Sequence, residues 1–105
     1  MTANLLVDLP DARAGEVFTE LLARPGARIE RIVSHGQATP EDAPMVQDWD
    51  EWVVLLEGAA GLRIEDDAEV ALAPGDHLLI GAGQRHWVTW TAADCPTVWL
   101  AVHLG

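Results

Sequence analysis

From Arg28 onward the chain is a succession of short apolar runs broken by turn formers, and few soluble folds accommodate that pattern. The runs are Arg28 to Ser34, Trp52 to Leu56, Leu62 to Glu65, Glu69 to Leu72, His77 to Ile80, Trp87 to Thr91 and Val98 to Leu104. They are rich in β-branched and apolar side chains, which suit a pleated surface that is buried on at least one face. Gly58, Asp66-Asp67, Pro74-Gly75-Asp76 and Gly81-Ala82-Gly83 supply the turns between them. A longer stretch of turn formers, His35 to Pro44, separates the first run from the second. Short strands at close spacing predict a β-sandwich or a closed barrel, and closure removes the edges that such apolar strands would otherwise expose.

One segment reads differently. Between Asp11 and Ala23, Val17, Phe18, Leu21 and Leu22 recur at helical spacing, with Glu16 and Glu20 on another face. Asp11 is a suitable N-cap and Pro25-Gly26 a suitable stop, so the pattern predicts an amphipathic helix. The expected organisation is therefore a segment 1–27 carrying one N-terminal helix packed on a barrel formed by residues 28–105. A chain of 105 residues suits one domain. A core of that size is modest, and pairing with a second copy would cover more apolar surface, so a homodimer is expected.

Charge excludes two classes of partner. The formal net charge is −11, and all six cationic side chains are arginines. Such a surface repels phosphate backbones and anionic lipid heads, which argues against nucleic-acid and membrane partners. No run is long enough to span a bilayer as a helix, and the first residues lack a basic leader. The single cysteine, Cys95, excludes an internal disulfide and fits a reducing compartment. The expected location is the cytoplasm.

Strand parity then selects side chains that can meet. Successive residues of a strand face opposite ways, so Gln47, Glu51, Val53 and Leu55 share one face, joined by Met45. On a later strand His86, Val88 and Trp90 share a face in the same way. The spacing of Glu51 to Gly58, and of Gly75 to Gly81 and on to His86, resembles the two motifs of the cupins, small barrels built as a double-stranded β-helix of jelly-roll type. The resemblance runs from about Arg28 to Gly105. It implies an all-β cupin-type barrel, and it places the chain among small single-domain bacterial cupins with a degenerate metal motif.

In metal-binding cupins the first motif supplies two histidines and a glutamate, and the second supplies one histidine. By that resemblance Glu51 and His86 fill two of four ligand positions, while Met45 and Gln47 stand where histidines are usual. Gly81 and Trp90 also depart from the usual proline and asparagine. An amide oxygen is a weaker ligand than imidazole, and a thioether is soft and pairs poorly with a carboxylate. Gln47, Glu51 and His86 could still make a facial O, O, N set for one divalent transition metal ion, Zn, Fe, Mn or Ni. The metal-free alternative has Glu51 as a buried carboxylate hydrogen-bonded to Gln47 or His86, because an isolated charge in the interior needs a partner.

Met45, Trp90 and His35 are the remaining candidates for a ligand pocket. Trp90 would offer a flat apolar wall, and His35 would lean in from the start of the long loop. Trp52 and Trp87 have outward parity, as does Arg85, while His77 and His103 read as surface or packing residues. Ser34, the only serine, has no orienting partner identifiable from sequence, which disfavours a nucleophilic hydrolase. Two functions lead on the sequence, ahead of a third, a purely structural dimer with a vestigial pocket. One is a pocket that binds a small molecule, with or without a divalent metal on Gln47, Glu51 and His86. The other is a metal-dependent oxygenase, isomerase or lyase acting on a small organic substrate.

Overall fold

A computed structural model describes all 105 residues. Eight strands and no helix make up the fold: β1 (Val17–Arg24), β2 (Ala27–Ser34), β3 (Asp50–Glu57), β4 (Ala60–Ile64), β5 (Val70–Leu72), β6 (His77–Ile80), β7 (His86–Thr91) and β8 (Thr97–Leu104). They form two antiparallel sheets, a five-stranded one in the order β1-β2-β8-β3-β6 and a three-stranded one in the order β5-β4-β7. Side chains from the two sheets meet in one core. Val53, Leu55, Ile80 and Trp99 of the larger sheet pack with Ala60, Leu62 and Leu72 of the smaller. Burying a side chain of leucine or valine size contributes about 1.5–3 kcal/mol, so this cluster is the main stabilising feature of the barrel.

The expected N-terminal helix is replaced by a strand. β1 runs antiparallel to β2 along its whole length, from Val17 opposite Val33 to Arg24 opposite Ala27. Pro25-Gly26, which reads as a helix stop, is instead a two-residue hairpin turn, with Gly26 at a positive φ of 80°. The helical spacing of the apolar residues has a local cause. The ladder is irregular between Glu20 and Leu22, so Leu21 is an inserted residue that breaks the strand period of two. Val17, Phe18 and Thr19 favour a strand, and the ladder offered by β2 outweighs the helix propensity of Leu-Leu-Ala. A division after residue 27 would separate two paired strands of one sheet.

One glycine fixes the approach to the pocket. Gly58 has φ of 92°, and a Cβ there would lie 2.5 Å from Thr97 Oγ1 and 2.7 Å from the Pro96 carbonyl oxygen. Only glycine permits both the backbone conformation and the approach. The contact sets the start of β8, whose Trp99, Ala101 and His103 are then all buried.

Candidate functional site

The pocket lies between the sheets, with a cavity volume of about 140 Å³. Its walls are largely apolar, with Ile32, Val53, Leu62, Ile80, Val88 and Trp99 among them. Its polar side chains are Gln47, Glu51 and His86, together with Glu16, Glu30 and His103.

Gln47, Glu51 and His86 reach the pocket by three routes. β3 alternates buried and half-buried positions, and Glu51 is the first of its buried residues at 8 % exposure. His86 opens β7 and is 2 % exposed. Gln47 comes from the chain between β2 and β3, which is stitched to the start of β7. Met45 and His86 exchange backbone hydrogen bonds of 2.9 Å in both directions, and the Gly83 amide donates to the Gln47 carbonyl at 2.8 Å. The turn that precedes His86 is fixed by its own glycine-rich sequence. There the Gly81 amide donates to Gln84 Oε1 at 2.7 Å, and the Ala82 amide donates to Asp50 Oδ1 at 2.9 Å.

Within this group Gln47 Nε2 donates to Glu51 Oε1 at 2.6 Å. His86 Nδ1 lies 3.2 Å from the Gln84 carbonyl oxygen. A carbonyl only accepts, so Nδ1 carries a proton, and Nε2 is the bare nitrogen when the ring is neutral. That Nε2 and the second Glu51 oxygen have no protein partner, although both residues line the pocket.

A second polar group was not singled out from sequence. Trp49 Nε1 donates to His103 Nδ1 at 2.8 Å, and His103 Nε2 lies 2.9 Å from Glu30 Oε1. Indole only donates, so His103 accepts at Nδ1 and donates at Nε2 to the carboxylate, the neutral tautomer opposite to that of His86. His103, read as a surface or packing residue, is 7 % exposed and lines the pocket directly opposite Glu51 in the β3–β8 ladder. β8 sits between β2 and β3 and is apolar on both faces, so its sequence gives no parity signal. Near the mouth, Ser34 Oγ donates to Glu16 Oε2 at 2.5 Å and receives the Trp99 indole N–H at 3.2 Å.

Other sequence candidates lie elsewhere. Met45 lines the pocket, but Trp90 does not. The β4–β7 ladder is irregular between Gly61 and Leu62: Trp90 faces Gly61 and Val88 faces Leu62, leaving Thr89 as an extra residue. The bulge reverses parity after Val88 and turns Trp90 outward, over the space that a Gly61 side chain would fill. His35 is also absent from the lining, and its backbone amide donates to Gln37 Oε1 at 2.5 Å. Trp87 points away from the pocket as its parity requires. It is nonetheless buried, covered by the Glu41 carbonyl at 3.0 Å and by Arg63 stacked 4.1 Å from its ring. Trp52 and His77 pack on each other. Arg85 is paired with Glu65 at 2.8 Å on the surface.

These residues fit a tightly held transition metal poorly. No three His, Cys, Asp or Glu side chains come together around one point. Gln47 turns its amide N–H toward Glu51, so the third oxygen donor of a facial set is directed elsewhere. A divalent ion would have Glu51 and His86 as its principal ligands.

A model of the cupin domain matches residues 31–103. A solved structure of a putative mannose-6-phosphate isomerase from Ralstonia eutropha JMP134 is 45 % identical, covers 99 % of this chain and 97 % of its own, and superposes with a TM-score of 0.94. A cupin superfamily protein from Desulfitobacterium hafniense DCB-2 is 20 % identical over 98 % of this chain and 90 % of its own, with a TM-score of 0.77. At that identity the likeness extends to the fold alone. None of the curated proteins matches the chain.

Proposed function

Since the chain belongs to the cupin family, we propose that its internal pocket binds a small organic molecule through Gln47, Glu51 and His86. One observation carries this reading: Glu51 and His86 are 8 % and 2 % exposed, yet each keeps an unspent acceptor beside the pocket. Neither acceptor is sealed in the core, so each is open to a ligand or water entering the pocket. The apolar walls would strip water from the body of the ligand, and the acceptors would orient its polar end.

A second reading, an isomerase, draws support from the likeness to the Ralstonia protein, itself described as a mannose-6-phosphate isomerase. In that reading Glu51 and His86 would take and return a proton on the substrate, each through its unspent atom. A divalent metal, for which Glu51 and His86 would be the principal ligands, is a separate question, tested by elemental analysis of protein purified without chelator. The protein is further proposed to be a cytoplasmic homodimer. Phe18, Leu21 and Leu22 are exposed on the edge strand β1 and would be covered by a second copy, as light scattering would reveal.

The binding reading is tested by ligand-observed NMR with a library of small organic fragments. Met45, 40 % exposed at the pocket, can be enlarged to obstruct it without disturbing the core. Fragments should bind the native protein and lose binding in Met45→Trp and in His86→Ala. Binding indifferent to both substitutions would refute the pocket as the site.

A further inference from the structure

We infer that the ligand of this pocket is an organic cation, a protonated amine on an apolar body, and that phosphorylated or carboxylated compounds are rejected. The inference rests on the binding reading above and adds the charge of the occupant.

Three carboxylates from separate parts of the chain line the pocket: Glu16 before β1, Glu30 on β2 and Glu51 on β3. Each is held by a neutral donor, the Ser34 hydroxyl, the His103 imidazole and the Gln47 amide respectively. A neutral donor fixes the position of a carboxylate and leaves its charge uncompensated.

No cation in the chain is available to balance them. The protein has six arginines and no lysine, and none of the six lines the pocket. Arg13 is paired with Asp11 and Arg85 with Glu65. Arg24 donates to the Ala23 carbonyl and Arg31 to the Leu5 carbonyl, while Arg63 stacks on Trp87. Arg28 lies over the Trp49 ring in a separate recess, also lined by Arg24, that shares only His103 with the pocket.

The hydrogen-bonding capacity of the pocket points the same way, independently of charge. The N–H groups of His103 and Trp99 and the Ser34 hydroxyl are already spent on protein acceptors. What is left open is mainly acceptors, the second oxygen of Glu51 and Nε2 of the neutral His86 ring, a side chain 2 % exposed, beside one N–H of the Gln47 amide. A complementary ligand therefore donates hydrogen bonds and carries positive charge, as an ammonium group does. An anion would meet three carboxylates, Glu51 buried, Glu30 half-buried and Glu16 exposed at the mouth, with one N–H of the Gln47 amide to receive it. A sugar phosphate, the substrate class named for the Ralstonia protein, does not suit this lining.

The test holds the ligand body constant and varies its charge. Cyclohexylammonium, cyclohexanol, cyclohexanecarboxylate and mannose 6-phosphate are titrated into the native protein by calorimetry and NMR. Cyclohexylammonium should bind at least about tenfold more tightly than cyclohexanol, and the two anions should not bind. Glu51→Gln and Glu30→Gln should each lower the affinity for cyclohexylammonium several-fold more than the affinity for cyclohexanol. Equal binding of alcohol and ammonium would overturn the charge inference and leave the pocket reading standing. Preferential binding of the carboxylate or of mannose 6-phosphate would do the same. Binding of none of the four, with no library fragment held either, would remove both.

Discussion

The two polar groups of the pocket face the same space with opposite logic. At one, Glu51 meets an amide four residues away, and His86 presents a bare ring nitrogen to the interior. At the other, Glu30 meets an imidazole 73 residues away in the chain, and that imidazole is pinned from behind by Trp49. The first group is unfinished, with acceptors left over. The second is closed, with both ring nitrogens of His103 spent. A barrel of this size needs some polar interior groups to hold strands together and others to meet a ligand, and the difference shows which are which.

Breaking the closed group should have the largest effect. His103→Ala leaves the Glu30 carboxylate and the Trp49 indole without their buried partner, and should cost about 2–3 kcal/mol in urea unfolding. A loss below about 0.5 kcal/mol would show that the chain is not a structural clamp. His86→Ala, at the open group, should cost only about 1 kcal/mol while abolishing ligand binding. Glu51→Gln sharpens the contrast further. It removes a buried charge partnered only by an amide, so stability should hold or rise by about 0.5–1 kcal/mol as cation binding falls. Stability traded against binding is the mark of a site that is unfinished without its ligand.

The smallest effect lies just outside the pocket. The Arg85 backbone amide, then its guanidinium, hold the Glu65 carboxyl below its ordinary value of 4.5. Because the folded value is lowered, the stabilisation is complete above 4.5 and fades as the pH falls through the depressed value. The pair is exposed, so Glu65→Gln should lower Tm at neutral pH by less than His103→Ala or His86→Ala does, and the difference from native should vanish in acid. A difference that persists in acid would assign the effect to packing.

The sequence conveyed the strands from β2 to β8 because their turns carry local chemistry: Gly58, Pro74-Gly75 and Gly81-Ala82-Gly83 punctuate them without tertiary information. It also marked Gln47 and Glu51 as sharing a face, with His86 joined to them by the cupin resemblance, and the structure brings all three to one pocket. Two β-bulges account for what was misread. Leu21 gives a strand the apolar spacing of a helix, and Thr89 turns Trp90 out of the barrel. Parity counting presumes an uninterrupted strand, and a bulge is decided by the partner strand. The Glu30–His103–Trp49 chain stayed hidden for a different reason. Its members lie on three segments, and β8 is apolar on both faces, so no period marks His103 as inward. The charge state of the pocket was likewise out of reach until every arginine could be placed.

The contrast between the groups reduces to where each imidazole carries its proton. A long-range proton–nitrogen correlation spectrum of the ligand-free protein, recorded in mildly alkaline buffer, reads this for each ring. The account requires His86 protonated on Nδ1 with Nε2 bare, and His103 protonated on Nε2 with Nδ1 accepting from Trp49. Finding the proton of His86 on Nε2, or that of His103 on Nδ1, would contradict it.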